Sequence, residues 1–375
     1  MTTQTLPAPP ESAVDVMPVH GIDHLELFVG NAAQAAYYYT HAWGFTEVAY
    51  RGLETGSRDR VSYVLQQGRI RLVLTGSLTG DDEIGEHHKR HGDGVRTIAL
   101  SVPDAVAAYE HAVAHGARGV QTPYEVSDEH GTVGLSSVET YGETRHLFVA
   151  RGKYHGPFLP GYAPRDEAPT GPDGLLAGID HVVGNVALGH MEEWVHYYER
   201  VFGMTELIHF SDEAISTEYS ALMSKVVTDG SGKIKFPINE PAQGKRKSQI
   251  EEYLDFYRGP GVQHIAVSTT NIVKSVTELV ARGVRFLPIP EAYYADVPER
   301  IGETAYDIAD VQRLGILVDR DEEGYLLQIF SHAVGDRPTV FFELIERHGA
   351  RGFGEGNFKA LFEALEREQD RRGNL

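Results

Sequence analysis

The chain has 375 residues, of which 54 are acidic and 34 are basic, and it contains no cysteine. Its formal net charge of −20 argues against a nucleic-acid partner, because phosphate binding needs a basic surface. The lack of cysteine excludes disulfides, thiolate metal ligands and cysteine nucleophiles. No apolar run approaches the roughly 20 residues of a membrane helix, and residues 1–18 do not resemble a signal peptide. We expect a disordered N-terminus at 1–18, no membrane association and a cytoplasmic location.

The sequence repeats itself over a long distance. The string GIDH occupies residues 21–24 and again 178–181. Each copy precedes an aromatic-rich stretch that ends in a related pentapeptide, WGFTE in the first and FGMTE in the second. The octapeptide GVRTIALS at 94–101 likewise matches GVQHIAVS at 261–268. Self-similarity of this kind indicates a tandem duplication.

Each half contains two modules with the same order of elements, a strand, a helix and further strands. Gly116 and Gly283 follow the second helix of their halves, where a left-handed residue would end it. The predicted strands lie at 24–29, 60–66, 69–74, 95–102, 181–186, 218–226, 233–238 and 262–269, and the predicted helices at 32–42, 105–115, 191–202 and 272–282.

The duplication predicts two domains, at 19–152 and 175–375. The segment between them, 153–174, contains five prolines, a composition typical of linkers. The second domain ends in a predicted helix at 357–371, behind a glycine-rich segment interpreted as a hinge.

The two halves differ where chemistry is expected. His264 stands where the first half has Thr97, and Glu343 stands where it has Leu147. Glu343 lies within an apolar strand, where burying an unpaired carboxylate costs several kcal/mol, so it needs a partner or a cation. Together with His181 these residues form the His–His–carboxylate set of non-haem Fe(II) oxygenases. Zinc accepts the same ligands, so the ligand types leave the metal open.

The alternative interpretation is that these histidines are ordinary core residues. His24 occupies the same motif as His181, in the half that lacks the other two ligands. The histidine-rich string EHHKRH at 86–91 is interpreted as a solvated surface loop. No Ser/His/Asp arrangement stands in a nucleophile-elbow context.

Several longer motifs carry a resemblance to a known family. They are GPFLPG at 156–161, PINEP at 237–241, SQIEEYL at 248–254, GVQHIA at 261–266, LLQIF at 326–330 and FFELIER at 341–347. With these motifs the chain resembles, over nearly its whole length, the 4-hydroxyphenylpyruvate dioxygenases of the vicinal-oxygen-chelate superfamily. That resemblance implies an α+β fold with two tandem vicinal-oxygen-chelate domains, each of paired βαβββ modules forming an open barrel, plus a C-terminal helix.

The resemblance also implies a reaction. One Fe(II) per chain would be held by His181, His264 and Glu343, and the substrates would be 4-hydroxyphenylpyruvate and O2. Decarboxylation, ring attack and migration of the acetate group would give homogentisate in tyrosine catabolism, with no separate acid or base. We also expect a homo-oligomer, although no feature of the sequence gives the number of subunits.

A substrate pocket is implied by the same resemblance. Gln328 and Phe330 are two apart on one strand and so face the same way. Phe358 and Phe362 lie one turn apart on the tail helix, which closes over the site in the family. A phenol in the pocket needs polar partners, because an unpaired buried hydroxyl costs about 1–3 kcal/mol. The residues implied are Ser224, Asn239, Gln249, Gln263, Gln328, Phe330, Phe341, Phe358 and Phe362.

Three rival functions stay open. 4-Hydroxymandelate synthase resembles the chain throughout and uses the same iron and substrate, but it hydroxylates the benzylic carbon. Phe330 favours the dioxygenase, since the synthase tends to carry a smaller aliphatic residue there. The other rivals are a metal-free aromatic-ligand-binding protein of the same superfamily and a zinc or nickel glyoxalase-type lyase.

Overall fold

The computed structural model describes residues 17–165, 174–210, 221–242 and 244–373. Most of the N-terminus predicted to be disordered, part of the predicted linker and the start of the strand predicted at 218–226 lie outside these ranges. Among the described residues, no helix is both long and apolar enough to cross a membrane.

The first half folds as one sheet with helices packed on it. Its strands run in the order β6-β7-β8-β5-β1-β4-β3-β2-β9. The elements are β1 (Gly21–Phe28), α1 (Ala32–His41), β2 (Thr46–Arg51), β3 (Arg60–Gln67), β4 (Ile70–Ser77), α2 (Glu83–His91), β5 (Gly94–Ser101), α3 (Ala105–Ala114), β6 (Gly119–Asp128), β7 (Gly131–Glu139), β8 (Arg145–Ala150) and β9 (Ala163–Pro164), with a 3-10 helix at Leu53–Thr55.

The second half repeats this plan in the order β11-β12-β13-β10-β14-β17-β16-β15. Its elements are β10 (Gly178–Asn185), α4 (Met191–Phe202), β11 (Thr205–Phe210), β12 (Ala221–Thr228), β13 (Lys235–Ala242), α5 (Gln249–Tyr257), β14 (Gly261–Ser268), α6 (Ile272–Ala281), a 3-10 helix at Glu291–Tyr294, α7 (Val297–Ile301), α8 (Ile308–Leu314), β15 (Leu317–Arg320), β16 (Tyr325–Phe330), β17 (Phe341–His348) and α9 (Glu355–Arg371).

The two modules of each half meet along their first strands. Strand β1 is antiparallel to β5, and β10 is antiparallel to β14 in the same register, with His24 opposite Ala99 and His181 opposite Ala266. Each sheet curls into an open barrel, which confirms the predicted fold class. The boundaries at 19–152 and 175–375 stay predictions.

Local sequence sets where the helices begin and end. Asn31 and Asn271 cap helices α1 and α6 through their side-chain oxygens, which accept backbone N–H groups three residues on. Gly116 and Gly283 follow α3 and α6 with φ of +93° and +95°, a conformation that favours glycine.

Two segments differ from the sequence prediction. Residues 86–91, interpreted as a solvated loop, belong to helix α2, and both His87 and His91 are buried. The loop interpretation was wrong because all six residues there are charged or polar, which hides the side of the helix that packs inward. Part of the predicted linker also packs on the first domain, because Ala163–Pro164 pairs with β2 and Phe158 is buried beside Ala49.

The two domains share one hydrophobic core. The Trp43 ring lies 4.7 Å from the Phe342 ring, and Tyr39 contacts the same ring at 5.9 Å. Phe342 is the neighbour of Glu343 on β17, and alternation points the two side chains to opposite faces of the strand. The first domain therefore buttresses the strand that carries the candidate carboxylate ligand.

Candidate metal centre

Three neighbouring strands of the second sheet bring the predicted ligands together. His181 on β10 and Glu343 on β17 both lie opposite Ala266 of β14, one in an antiparallel pair and the other in a parallel pair. Paired positions share a face of the sheet, and His264 shares it because it is two residues from Ala266. Residues distant in the sequence thus converge at the middle of the sheet.

The spacing of the three side chains suits one cation. Glu343 Oε2 lies 3.1 Å from His181 Nε2 and 3.3 Å from His264 Nε2. Ligands about 2.1 Å from a metal and about 90° apart are separated by about 3.0 Å. All three side chains are buried, and their ligand atoms lie within 4.8 Å of one another. Two imidazoles and one carboxylate leave coordination positions open for other ligands.

The electrostatics of the triad favour a charged carboxylate. Burial alone would raise the pKa of Glu343, but charge interactions and hydrogen bonds with His181 and then His264 outweigh it and lower the pKa to about 2. Burial lowers the pKa of His264, against a weaker opposing effect of Glu343. Burial would also lower the pKa of His181, but Glu343 and Asp180 together outweigh that effect and raise the pKa. In the metal-free protein a proton on His181 therefore takes the place of a cation.

A buried acidic group orients His181. Asp180 Oδ1 lies 2.8 Å from His181 Nδ1, and Arg347 donates to both Asp180 oxygens at 2.8 and 2.9 Å. Burial would raise the pKa of Asp180, but the hydrogen bonds from His181 and Arg347 hold it well below its usual range. With Nδ1 bonded to a carboxylate, Nε2 is the nitrogen left to face Glu343. Asp180 was not predicted as a site residue from the sequence, although it stands beside His181 in the repeated motif.

The first domain has the same group of aspartate, histidine and arginine but lacks the other two candidate ligands. Asp23 lies 2.7 Å from His24 Nδ1 and accepts two hydrogen bonds from Arg151, each 2.7 Å long. In β5 and β8, Ala99 lies opposite Leu147, the register that places Ala266 opposite Glu343 in the second domain. The Asp–His–Arg group therefore belongs to the repeated fold, whereas the other two candidate ligands occur only in the second copy.

A narrow cavity opens onto the triad. Four of the predicted substrate-binding residues line it, namely Asn239, Gln328, Phe330 and Phe358. The walls are mainly apolar, and the polar atoms belong to few side chains, as in many small-molecule sites. The remaining lining residues are His181, Val183, Pro237, His264, Glu343, Phe353 and Leu361.

A chain of hydrogen bonds joins the C-terminal helix to the triad. Gln328 Nε2 donates to Glu343 Oε1 at 2.8 Å, and Asn357 Nδ2 donates to Gln328 Oε1 at 2.8 Å. The Tyr293 hydroxyl donates to Asn357 Oδ1 at 2.6 Å. Neither Asn357 nor Tyr293 was singled out from the sequence, because nothing in their local pattern distinguishes them from surface residues.

Phe353 is a further site residue that was not predicted from the sequence. It lies in the glycine-rich segment interpreted as a hinge, yet it is buried and packs edge-on against His181 with ring centroids 4.9 Å apart. Its counterpart in the first domain is Phe158, whose ring lies 5.0 Å from His24. A comparison of the two segments after the last strand of each half would have revealed it.

The structure places other predicted pocket residues next to this cavity rather than along it. Gln249, Gln263 and Phe341 line a small neighbouring cavity. Gln263 Oε1 lies 3.0 Å from His264 Nδ1, and Phe341 stacks on the His264 ring at 4.8 Å. Both therefore fix the orientation of His264.

The last two predicted pocket residues lie at the edges of the site. Phe362 packs in a hydrophobic cluster with Leu222 and Phe353. Ser224 is fully buried on β12, directly opposite Asn239 of β13. Among the described residues, neither Ser224 Oγ nor Asn239 Oδ1 has a hydrogen-bond partner. Both polar atoms are thus available to a ligand.

The comparisons with known proteins agree with this geometry. Residues 21–140 and 178–329 match the model of the Glyoxalase/Bleomycin resistance protein/Dioxygenase superfamily. The chain is therefore a member of that superfamily, and the two matched segments correspond to its two repeats.

Full-length relatives define the family more closely. The chain is 48% identical to 4-hydroxyphenylpyruvate dioxygenase of Dictyostelium discoideum, over 95% of this chain and 100% of the relative. It is 46% identical to that of Xenopus tropicalis, over 94% and 92%. A solved mutant of 4-hydroxymandelate synthase from Streptomyces coelicolor is similar with a TM-score of 0.84 and 35% identity, over 94% and 100%. The chain belongs to the 4-hydroxyphenylpyruvate dioxygenase family.

Proposed function

We propose that the protein is an Fe(II)-dependent dioxygenase that converts 4-hydroxyphenylpyruvate and O2 to homogentisate and CO2 in tyrosine catabolism. The observation that carries the proposal is the buried His–His–Glu triad facing a largely apolar cavity. The sequence identity to dioxygenases, 44–48% for the relatives compared, exceeds the 35% to the synthase.

We assign one Fe(II) per chain to His181, His264 and Glu343. Fe(II) held by these residues would supply the redox chemistry that activates O2 and the Lewis acidity that binds a 2-oxo acid. The chain's own part is to hold three ligands in fixed directions. Asp180 orients His181, and Gln263 orients His264. Gln328 binds Glu343 Oε1, the oxygen that does not face the histidines.

The cavity walls position the aromatic ring. Phe330 provides apolar surface from strand β16 of the sheet, and Phe358 provides it from helix α9. Asn239 lines the cavity and its Oδ1 has no hydrogen-bond partner among the described residues, so a phenol hydroxyl there would donate to it, with Ser224 directly opposite on β12. A hydrogen bond to an otherwise unpaired buried group contributes about 1–3 kcal/mol, so this end of the cavity selects for the hydroxyl.

The C-terminal helix excludes water from the reacting atoms. Phe358 and Leu361 of α9 line the cavity, and Asn357 ties the start of the helix to Gln328. A closed, dry site prevents side reactions of reactive oxygen species. Gln249 remains further out, in the adjacent cavity, and we propose that it contacts a ligand that extends there.

The test is to load the metal-free protein with Fe(II) without oxygen, then add 4-hydroxyphenylpyruvate and O2. We expect oxygen uptake and homogentisate, identified by NMR. The matched control is the Zn(II)-loaded protein, which should bind substrate without consuming oxygen. 4-Hydroxymandelate as the main product would instead show the synthase reaction, and substrate binding without oxygen uptake in the Fe(II) form would show a binding protein.

A further inference from the structure

A second group of potential ligands lies where the two domains meet. His87 and His91 are four residues apart on helix α2, so they lie on the same side of it, and Glu143 follows β7. Their potential ligand atoms all lie within 4.8 Å of one another. Both histidines are buried, and they face Tyr257 of the second domain, whose ring stacks on His91.

The His87 ring has no polar partner. Neither of its ring nitrogens has a hydrogen bond within the part of the chain that the structure describes, although the residue is only 2% exposed. Each buried polar atom left unpaired costs about 1–3 kcal/mol. Burial lowers the pKa of His87 to about 2, with smaller effects of His91 and Arg96, so the ring is neutral and offers a lone pair.

His91 is already oriented as a ligand would be. Its Nδ1 binds the backbone carbonyl of Tyr257, so in the neutral ring the proton lies on Nδ1 and a lone pair on Nε2. That Nε2 lies 3.2 Å from Glu143 Oε2 without the geometry of a hydrogen bond. A lone pair facing a carboxylate is unfavourable unless a positive charge lies between them. A histidine that donates its other nitrogen to a backbone carbonyl is the usual arrangement at metal sites.

We propose that His87, His91 and Glu143 form a second divalent-cation site, of the zinc type, at the contact between the domains. The separation of His91 Nε2 from Glu143 Oε2 is close to the about 3.4 Å between ligands of a tetrahedral zinc ion. Rotation of the His87 side chain would complete three protein ligands, with water in the fourth position. The proposal does not depend on the reaction proposed above.

The charges around the group set its expected strength. Arg90 binds Glu143 Oε1, which directs Oε2 toward His91 and also neutralises part of the carboxylate charge. Arg96 lies close enough to His87 to affect its pKa. The second site therefore binds a cation more weakly than the triad at His181, which has Glu343 without a neighbouring arginine bound to it.

The cation would be structural. It would join α2 to the segment after β7 and, through the carbonyl of Tyr257, to the end of α5 in the second domain. Binding to the folded state alone raises the free energy of unfolding, so a cation here raises the melting temperature in proportion to the logarithm of its concentration.

The test measures Zn(II) bound to the full-length, metal-stripped chain by equilibrium dialysis and metal analysis. We expect two ions per chain, the second at least tenfold weaker. Glu143→Gln and His87→Leu should each lose the weaker ion. His88→Gln is the matched control, because His88 lies on the same helix but is only partly buried and pairs with Asp93 instead, and it should keep both ions. His264→Ala should lose the tighter ion and keep the weaker one.

Thermal unfolding provides a second readout that does not rely on counting ions. In the His264→Ala background, Zn(II) should raise the melting temperature, and adding Glu143→Gln should remove that rise. His87→Leu removes two unpaired nitrogens, so the metal-free variant should be as stable as its parent or more stable. One ion in the wild type and none in His264→Ala would overturn the proposal and leave a proton or buried water between His91 and Glu143. That result would leave the proposed reaction untouched.

Discussion

The duplicated Asp–His–Arg group allows the contribution of Asp180 to metal binding to be separated from its contribution to stability. In the second domain Asp180 contacts a candidate metal ligand, His181, and in the first domain Asp23 makes the same contacts with His24. Asp180→Asn and Asp23→Asn are therefore a matched pair. Both substitutions remove a buried negative charge that accepts three hydrogen bonds, two of them from an arginine.

The two variants are expected to lose similar stability but to differ in their affinity for the metal. Each variant leaves a partly buried arginine without its carboxylate, Arg151 being 22% and Arg347 18% exposed, which costs about 1–3 kcal/mol of unfolding free energy. Only Asp180→Asn also loosens a ligand, and loss of such an outer partner lowers metal affinity about 10–100-fold, or about 1.4–2.7 kcal/mol. Asp23→Asn should therefore be destabilised to a similar extent and bind Fe(II) as tightly as the wild type.

The assay combines urea unfolding of the metal-free proteins with anaerobic Fe(II) titration against a competing chelator. The pH dependence provides a further check. The lowered pKa of Asp180 contributes stability that is present above its ordinary value of 3.8 and is lost as the pH falls through the folded-state value. The stability of Asp180→Asn should thus depend less on acid than that of the wild type. Equal loss of Fe(II) affinity in both variants, or none in either, would refute the reasoning.

The remaining predictions concern the triad and the cavity walls. The raised pKa of His181 favours its protonated form in the metal-free protein, so Fe(II) affinity should rise with pH through that pKa and then level off. Calorimetry in buffers of different ionisation enthalpy should detect the proton released on binding. An Fe(II) affinity that does not change with pH would contradict the assignment. Asn357→Ala should keep Fe(II) but lower the free energy of unfolding by about 1–3 kcal/mol, because Gln328 and Tyr293 both lose a buried partner. The variant should also consume oxygen without forming an equal amount of product. Tight coupling of oxygen consumption to product would argue against closure of the site by α9. Phe330→Ile should keep Fe(II) and decarboxylation but divert part of the product to 4-hydroxymandelate, since a displacement of the substrate ring by about 1 Å can change rates about a hundredfold. An active variant that forms homogentisate alone would show that Phe330 does not select the product.

The sequence predicted the fold because the duplication is visible in short identical strings. GIDH and its neighbours placed the first strands, and two aligned copies showed which positions carry His264 and Glu343 in only one domain. The register of β5 with β8 and of β14 with β17 confirms that Leu147 and Glu343 are equivalent. Comparison within the chain thus located the side chains that converge on the triad.

The parts that were missed depend on contacts between distant segments. Asn357 matters only because α9 returns to β16, where Gln328 accepts its hydrogen bond. On the buried face of α2, His91 is covered by Tyr257 of the other domain. Local pattern describes such residues as polar and helical and carries no information on what covers them. Similarly, Gln263 and Phe341 are close to the triad in sequence, but both contact the His264 ring and line the neighbouring cavity.

The most direct test of the central claim compares the wild type, His264→Ala and His24→Ala side by side for bound Fe(II) and for homogentisate formed after anaerobic loading and addition of substrate and O2. His264 and His24 are both buried strand histidines, but only His264 faces the Glu343 oxygen. The wild type and His24→Ala should bind one Fe(II) at the triad and form homogentisate, whereas His264→Ala should bind Fe(II) there weakly and form none. Full turnover with undiminished Fe(II) in His264→Ala would contradict the proposed centre.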